Sequence, residues 1–365
     1  MNDFNPALLK LAREARGWRQ TTLAEAAKVG QGSVSKYEKG LMEPSRRQAG
    51  ALARALEMPL GFFLQPEVRP AAVLYRSRVL KSARREATVR ARLNLARLVA
   101  LRLLEDVDVE SEARFPGGDR EFSSPEQAAA ELRAGWWLPP GPIASVTEAI
   151  ESAGAVVLRL DLGCDEVDAA YLHPLSDRTR WFFINTRVHA GDRVRFSLAH
   201  ELGHAVLHEV DFVPDTKQAE DQSNLFSGAF MLPSDELRAD LPRGRLRVAH
   251  LVELKRRWGM SMGAIAMRAH HIGAISRNDL TALWKEIGWR GYRTQEPVDV
   301  PVERPMIFDA ALNIHRTEHR MSDDDLAGMA HVSRVVLAEL FPEHFAPPVR
   351  RGHLSVVSAR KDRVA

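Results

Sequence analysis

In the stretch "RFSLAHELGHAVLHEV", His200 and His204 stand four residues apart and Glu201 directly follows the first of them. On an α-helix that spacing puts both imidazoles on one face a turn apart, within reach of a single ion. Glu201 lies about 100° round, close enough to address a water on that ion without occupying it. Zinc held by three protein ligands keeps a position for water, lowers that water's pKa towards ~7 and needs a carboxylate to take the proton. If an ion is held, the segment must be a helix and another element must approach it with a third ligand. The same pattern also arises by chance in helices that bind nothing, so its surroundings decide.

The chain has one cysteine, Cys164, which cannot build a cysteine-rich metal site or an internal disulfide, so a metal must use His, Asp or Glu. A third ligand is expected on a following helix. Glu220 in "EDQSNLF" lies sixteen residues beyond His204, enough for a turn and the start of an antiparallel helix, and Asp221 beside it competes for the role. His208 falls on the same face but about 6 Å further along the axis, which favours packing or hydrogen bonding over coordination. Cys164, in a loop before the histidine helix, reads as a small buried residue, with a thiolate cap on the metal as the alternative.

At 365 residues the chain exceeds one ordinary core and should form two or three domains. It has no apolar run long enough to span a membrane and no signal-peptide core, so a cytoplasmic location is expected. Residues 1–105 carry 20 Lys and Arg against 9 Asp and Glu, and the remaining 260 carry 31 against 39. A basic front and an acidic back point to a polyanion as the front's partner, unless the charge is only a solvated face.

Residues 6–64 read as short helices broken at Gly17, Gly30, Gly40 and Pro59. A long basic amphipathic helix is expected over 73–107, bridging two modules, followed by a hinge at "RFPGGDREFSSP". "AVVLRL" and "RWFFINT" read as strands joined by a loop, "RTQEPVDVPVERP" as a linker, and "SDDDLAGMAHVSRVVLAELF" as an acidic helix-turn-helix unsuited to DNA. The expected boundaries are 1–70 for the front module, 71–122 for linker helix and hinge, 123–277 for the histidine-bearing domain, 278–347 for a helical C-terminal module and 348–365 for a frayed tail.

Two resemblances extend this reading. "RFSLAHELGHAVLH" and "EDQSNLFSGAFMLP", with "ELRAGWWLPPGPI" upstream and "WGMSMGAIAMRAHHIGAIS" downstream, resemble the ImmA/IrrE metallopeptidases over roughly 123–277. The resemblance implies zinc, with His200, His204 and Glu220 as ligands and Glu201 as general base. It also implies a zincin-like fold whose edge strand, expected at "RWFFINT", takes an extended peptide by strand addition. Ser223, Ser227 and Gly228 depart from the family pattern at helix-packing positions.

"RQTTLAEAAKVGQGSVSKYEKG" resembles the helix-turn-helix of Cro/C1-type (XRE) repressors. That resemblance puts Gln31, Gly32, Ser33 and Lys36 in the major groove, with Arg13, Arg16, Arg46 and Arg47 on the phosphate backbone, and a homodimer on a double-stranded operator. The expected fold is multidomain and mainly α: an all-α helix-turn-helix domain, an α+β zincin-like metallopeptidase domain with a short sheet, and a helical C-terminal module. Two functions stand open: a zinc endopeptidase with its own DNA-binding domain, cleaving a repressor, antitoxin or other regulator in response to stress or foreign DNA, and a transcriptional regulator whose peptidase-like domain is a sensor or scaffold that cleaves nothing.

Overall fold

The computed structural model describes residues 4–66, 73–74, 82–105, 107, 111, 113–116, 122–172, 179–208 and 217–346, so the expected tail at 348–365 lies outside it. The front module begins at α1 (Pro6–Ala15), where Pro6 opens the helix and Asn5 accepts from the Ala7 and Leu8 amides. It continues through α2 (Gln20–Ala27), α3 (Gln31–Glu38) and α4 (Arg46–Ala55), and Lys28, in the left-handed region at φ 54°, turns the chain out of α2. The buried Arg13 binds Glu38 at the end of α3 from Nε (2.5 Å) and Nη2 (2.9 Å), and donates from Nη1 to the Trp18 carbonyl (2.7 Å). Arg16 donates to the Leu56 carbonyl (2.9 Å) and to Glu57 (2.8 Å). The expectation that these two arginines hold DNA phosphates therefore fails: their guanidinium groups hold the module itself together.

The long basic helix is shorter than its periodicity predicts. α5 runs over Ala83–Leu103, and 75–81 lie outside the described residues. It is no tether, because it packs along α1 and buries Val89, Leu93, Ala96, Ala100 and Leu103. Its Arg92 donates to the Ala15 carbonyl (3.1 Å) and to the Asp161 carbonyl (2.6 Å), joining the front module to the sheet.

That sheet is small: β2 (Val156–Leu160), β3 (Ala169–Leu172) and β4 (Trp181–Asn185), with the two-residue β1 (Val73–Leu74) on its outer side. The order is β1-β3-β4-β2; β4 is parallel to β2 and antiparallel to β3, and β1 is antiparallel to β3. Two expectations change here. The loop between the predicted strands contains β3, and Trp181–Asn185 is a central strand, so it offers no free edge to a peptide. The reason is legible in its composition, since all five of its residues are buried, as befits a strand covered on both faces.

The alternation of side chains divides the molecule. Val156, Leu158, Leu160, Ala170, Leu172, Trp181 and Phe183 face one core, shared with the front module, α5 and the C-terminal helices α14 (Ile307–Thr317), α15 (Asp323–Met329) and α16 (Arg334–Leu340). Val157, Tyr171, Phe182 and Ile184 face the other, formed with α6 (Pro125–Gly135), α7 (Val146–Ser152), α8 (Gly191–Leu207), α9 (Lys217–Met231), α11 (Val248–Trp258), α12 (Met262–His271) and α13 (Arg277–Trp289). A short α10 (Ser234–Asp240) links α9 to α11. The sheet is thus the middle of three layers.

The expected linker, 293–305, is a strap across the start of α8. The Gly191 amide donates to the Val300 carbonyl (3.1 Å), and a Cβ at Gly191 would collide with the Val300 and Pro301 carbonyl oxygens. Glu303 binds Arg195 of α8 and accepts from the Thr147 amide (2.8 Å). The buried Lys255 bridges Asp192 of α8 (2.5 Å) and Glu296 (2.8 Å).

Beyond the strap, the Glu151 carboxylate of α7 accepts from the Met306 amide (2.7 Å) and the Ile307 amide (3.3 Å) at the start of α14. Burial pushes this carboxyl up to about 7, against the opposing effect of its backbone hydrogen bonds. Between the ordinary value of 4.5 and about 7, the folded chain keeps a proton that the unfolded chain has released. Stability should therefore fall as pH rises through that window, and the loss is complete above it. Glu151→Gln keeps one acceptor oxygen, sets an NH2 against the other amide and removes the ionisation, so it should be less stable at low pH yet its melting temperature should decline less between pH 5 and pH 8 than that of the wild type. Thermal melts across that range check it, and identical slopes for the two proteins would refute the assignment.

Candidate metal centre

α8 runs from Gly191 to Leu207, and His200, Glu201 and His204 on it are all about 5% exposed. α9 packs antiparallel against it, closely enough that a Cβ added at Gly203 would lie 3.1 Å from Ser223 Cα and 3.1 Å from the Phe226 ring. This approach brings Glu220, in the first turn of α9, to the histidine pair. His200 Nε2 and His204 Nε2 lie 3.1 Å apart, and the Glu220 carboxylate oxygens are 3.4 Å from the first and 3.3 Å from the second.

These separations can be set against zinc chemistry. With ligand distances of about 2.0–2.1 Å and tetrahedral angles, two ligand atoms stand about 3.3–3.4 Å apart. The two nitrogens, 3.1 Å apart, lie within a few tenths of an ångström of that value; Glu220 sets Oε2 3.4 Å from His200 Nε2 and Oε1 3.3 Å from His204 Nε2, and one ligand atom from each residue lies within 4.8 Å of the others. Among the described residues, these three form the group of His, Cys, Asp or Glu side chains whose atoms converge in this way. The donor set of two imidazoles and one carboxylate fits zinc and leaves a fourth position. Asp221, the competing carboxylate, is exposed to solvent.

Each histidine is held from its other nitrogen. His200 Nδ1 lies 3.1 Å from Asn224 Oδ1, and His204 Nδ1 lies 3.2 Å from His208 Nδ1. His208 terminates α8 as its C-cap, and its Nε2 lies 2.9 Å from Gln222 Oε1. Burial lowers the pKa of His208, which favours the neutral ring. Sequence reasoning gave His208 a hydrogen-bonding role but missed Gln222 and Asn224. Their only signal was position, within one turn of Glu220, because an amide side chain on a helix surface usually faces water. Cys164 is buried in the core on the opposite side of the sheet from α8, and its burial raises the thiol pKa, so it does not cap this site.

In the front module, Gln31, Gly32 and Lys36 of α3 are exposed and Ser33 is half-buried. Arg46 and Arg47 are exposed in the first turn of α4, behind a Ser45–Gln48 capping box. The positive end of a helix and two guanidinium groups there favour an anion. Gln31 Nε2 donates to Gln20 Oε1 (3.3 Å), and Gln20 in turn donates to Glu38 (2.8 Å).

Residues 150–270 match the family described as the IrrE N-terminal-like domain, Peptidase M78, and residues 9–63 match the helix-turn-helix family. No curated protein matches the chain. No described helix is long and apolar enough to cross a membrane.

The arrangement separates the two carboxylates proposed from the sequence. Glu220→Ala should remove bound zinc, and Asp221→Ala, altering a solvent-facing group, should retain it. Zinc per chain, measured by atomic emission on the purified variants, gives the answer; the opposite pattern would move the third ligand by one residue.

Proposed function

We propose that this chain, with an IrrE-like metallopeptidase domain behind a helix-turn-helix of the Cro/C1 type, is a cytoplasmic zinc endopeptidase that binds DNA in its own right and cleaves a regulatory protein. The convergence of His200 Nε2, His204 Nε2 and Glu220 at ligand-to-ligand distances, with Glu201 adjoining on the same helix, carries the reading. His200, His204 and Glu220 would hold the ion. Zinc, when bound, polarises a carbonyl and makes water acidic enough to attack near neutral pH. Glu201 takes the proton of the attacking water and returns it to the departing amine, so the peptide bond is broken with no net change in the enzyme. A scaffold or sensor has no need of a carboxylate at that position, which favours catalysis over the non-cleaving alternative.

The resemblance to ImmA/IrrE proteins points to a repressor, antitoxin or similar regulator as substrate, with stress or foreign DNA as the trigger. For the DNA interface, Gln31, Gly32, Ser33 and Lys36 read bases in the major groove while Arg46 and Arg47 hold the phosphates, in a homodimer that matches a two-fold operator. The hydrogen bond from Gln31 to Gln20 supports this role by holding the reading amide in place before DNA arrives.

Glu201→Gln removes the proton acceptor and leaves the ligands untouched. It should keep zinc and DNA affinity at wild-type levels yet lower cleavage of a regulator found among the products of the neighbouring genes by at least ~10²-fold. Gel electrophoresis of that regulator after incubation measures this, and cleavage at the wild-type rate would remove Glu201 from the mechanism.

DNA affinity should fall with salt by a slope of roughly −0.9 per neutralised phosphate. Arg46→Ala should reduce that slope by about one for all sequences. Lys36→Ala or Gln31→Ala should instead cost ~1–3 kcal/mol at the base each one reads. Titrations on DNA flanking the chain's own gene at two salt concentrations separate these effects. Binding that ignores salt would make the front module a protein-contact surface.

A further inference from the structure

We propose that His208 and Gln222 are positioning residues that fix the ring tautomer of His204 through a relay of two hydrogen bonds, and that Asn224 does the same for His200. The inference rests on reading His200, His204 and Glu220 as a metal site, and it concerns what makes their lone pairs available.

A neutral imidazole carries one N–H, and which nitrogen bears it is set by the hydrogen bond the ring makes. Gln222 Oε1 can only accept, so at 2.9 Å His208 must donate from Nε2. That leaves His208 Nδ1 as a bare acceptor, facing His204 Nδ1 at 3.2 Å. One proton lies between these two nitrogens, and it belongs to His204. His204 is then bare at Nε2, the atom that stands 3.1 Å from His200 Nε2 and 3.3 Å from Glu220. On the other ligand the path is one bond long: Asn224 Oδ1 accepts from His200 Nδ1 at 3.1 Å and leaves His200 Nε2 bare.

Two features of the fold make the relay possible. His208 is the C-cap of α8, one turn beyond His204 on the same face, and the two ring centroids stand 5.3 Å apart. Gln222 and Asn224 sit on α9, the helix that brings Glu220, so a single docking event delivers a carboxylate and sets both tautomers. Without these acceptors, an imidazole favours the proton on Nε2, where it blocks coordination. A relay that ended on the amide NH2 of Gln222 would invert every bond in the chain and protonate His204 at Nε2.

Long-range proton–nitrogen NMR on the metal-stripped full chain reads each ring directly. His200 and His204 are expected as Nδ1–H and His208 as Nε2–H. Gln222→Met, which cannot accept, should shift His204 towards Nε2–H and weaken zinc binding by about 10–100-fold in competition with a chromophoric chelator. Gln222→Glu restores an acceptor and should return His204 to Nδ1–H. A wild-type spectrum with His204 protonated at Nε2, or unchanged tautomer and zinc affinity in Gln222→Met, would overturn the relay. The wild-type spectrum needs no variant to fold, and the chelator competition tests the relay on the loaded protein whatever the stripped chain does. Zinc content of the wild type is measured first: a chain that binds none sinks the metal reading and leaves the tautomers to be decided by the spectrum.

Discussion

The distance between two helix backbones governs this molecule's chemistry. α8 and α9 meet where Gly203 faces Ser223 and Phe226, too close for even a methyl group to enter without displacement. Glutamate is a short side chain, and it reaches two imidazole nitrogens on a neighbouring helix only because nothing larger separates the axes. Ser223 stands where the ImmA/IrrE pattern implies an alanine, yet it is fully buried at this crossing, so what matters there is small volume. Every contact of the site, from Glu220 to the amides of Gln222 and Asn224, depends on the same separation. A bulkier residue at either position would lift α9 as a whole and spoil all of them together.

The other end of α8 is held by charge. Asp192 and Lys255, Lys255 and Glu296, and Arg195 and Glu303 are ion pairs between buried or mostly buried groups, and two of the five charged partners, Glu296 and Glu303, come from the strap. Burial alone would lower the pKa of the Lys255 ammonium, but its hydrogen bonds to Asp192 and Glu296, with their charge, raise it instead. Such pairs add little net stability over an apolar core, and removing one partner strands the other at a cost of about 3–5 kcal/mol. They act as register marks: the strap can lie across α8 in one alignment only, and that alignment orients the helix that carries the histidines.

Much of this was legible in the sequence wherever a rule of spacing applied. The histidine helix, α9 up to Pro233, the front helices and the pair α11 and α12 follow from periodicity and caps; distance along a helix gave the place of His208 and left Glu220 and Asp221 as rivals, between which the family resemblance chose. What escaped was what spacing cannot encode. β3 is four residues long, and "AAYL" has no alternation to mark it. The proline-rich 293–305 looked like a linker because extended chain without periodicity reads the same whether it crosses solvent or a protein surface, and only the partners of Glu296 and Glu303 tell them apart. Arg13 and Arg16 looked like phosphate contacts because charge in a basic module is read as surface until a buried Glu38 and a helix-end carbonyl are seen to satisfy it.

The sheet has consequences for how such a protein can be rebuilt. Val156, Leu158, Leu160, Trp181 and Phe183 line a face covered by α5, the front module and the C-terminal helices, so the histidine-bearing layer does not own its whole hydrophobic boundary. Modules joined by a flexible tether can be traded by recombination at the tether. Here a new DNA-reading unit would have to arrive with a complementary apolar surface, or the outer face of the sheet would have to be resurfaced with polar residues. Trading the front of this chain is therefore a problem of core design.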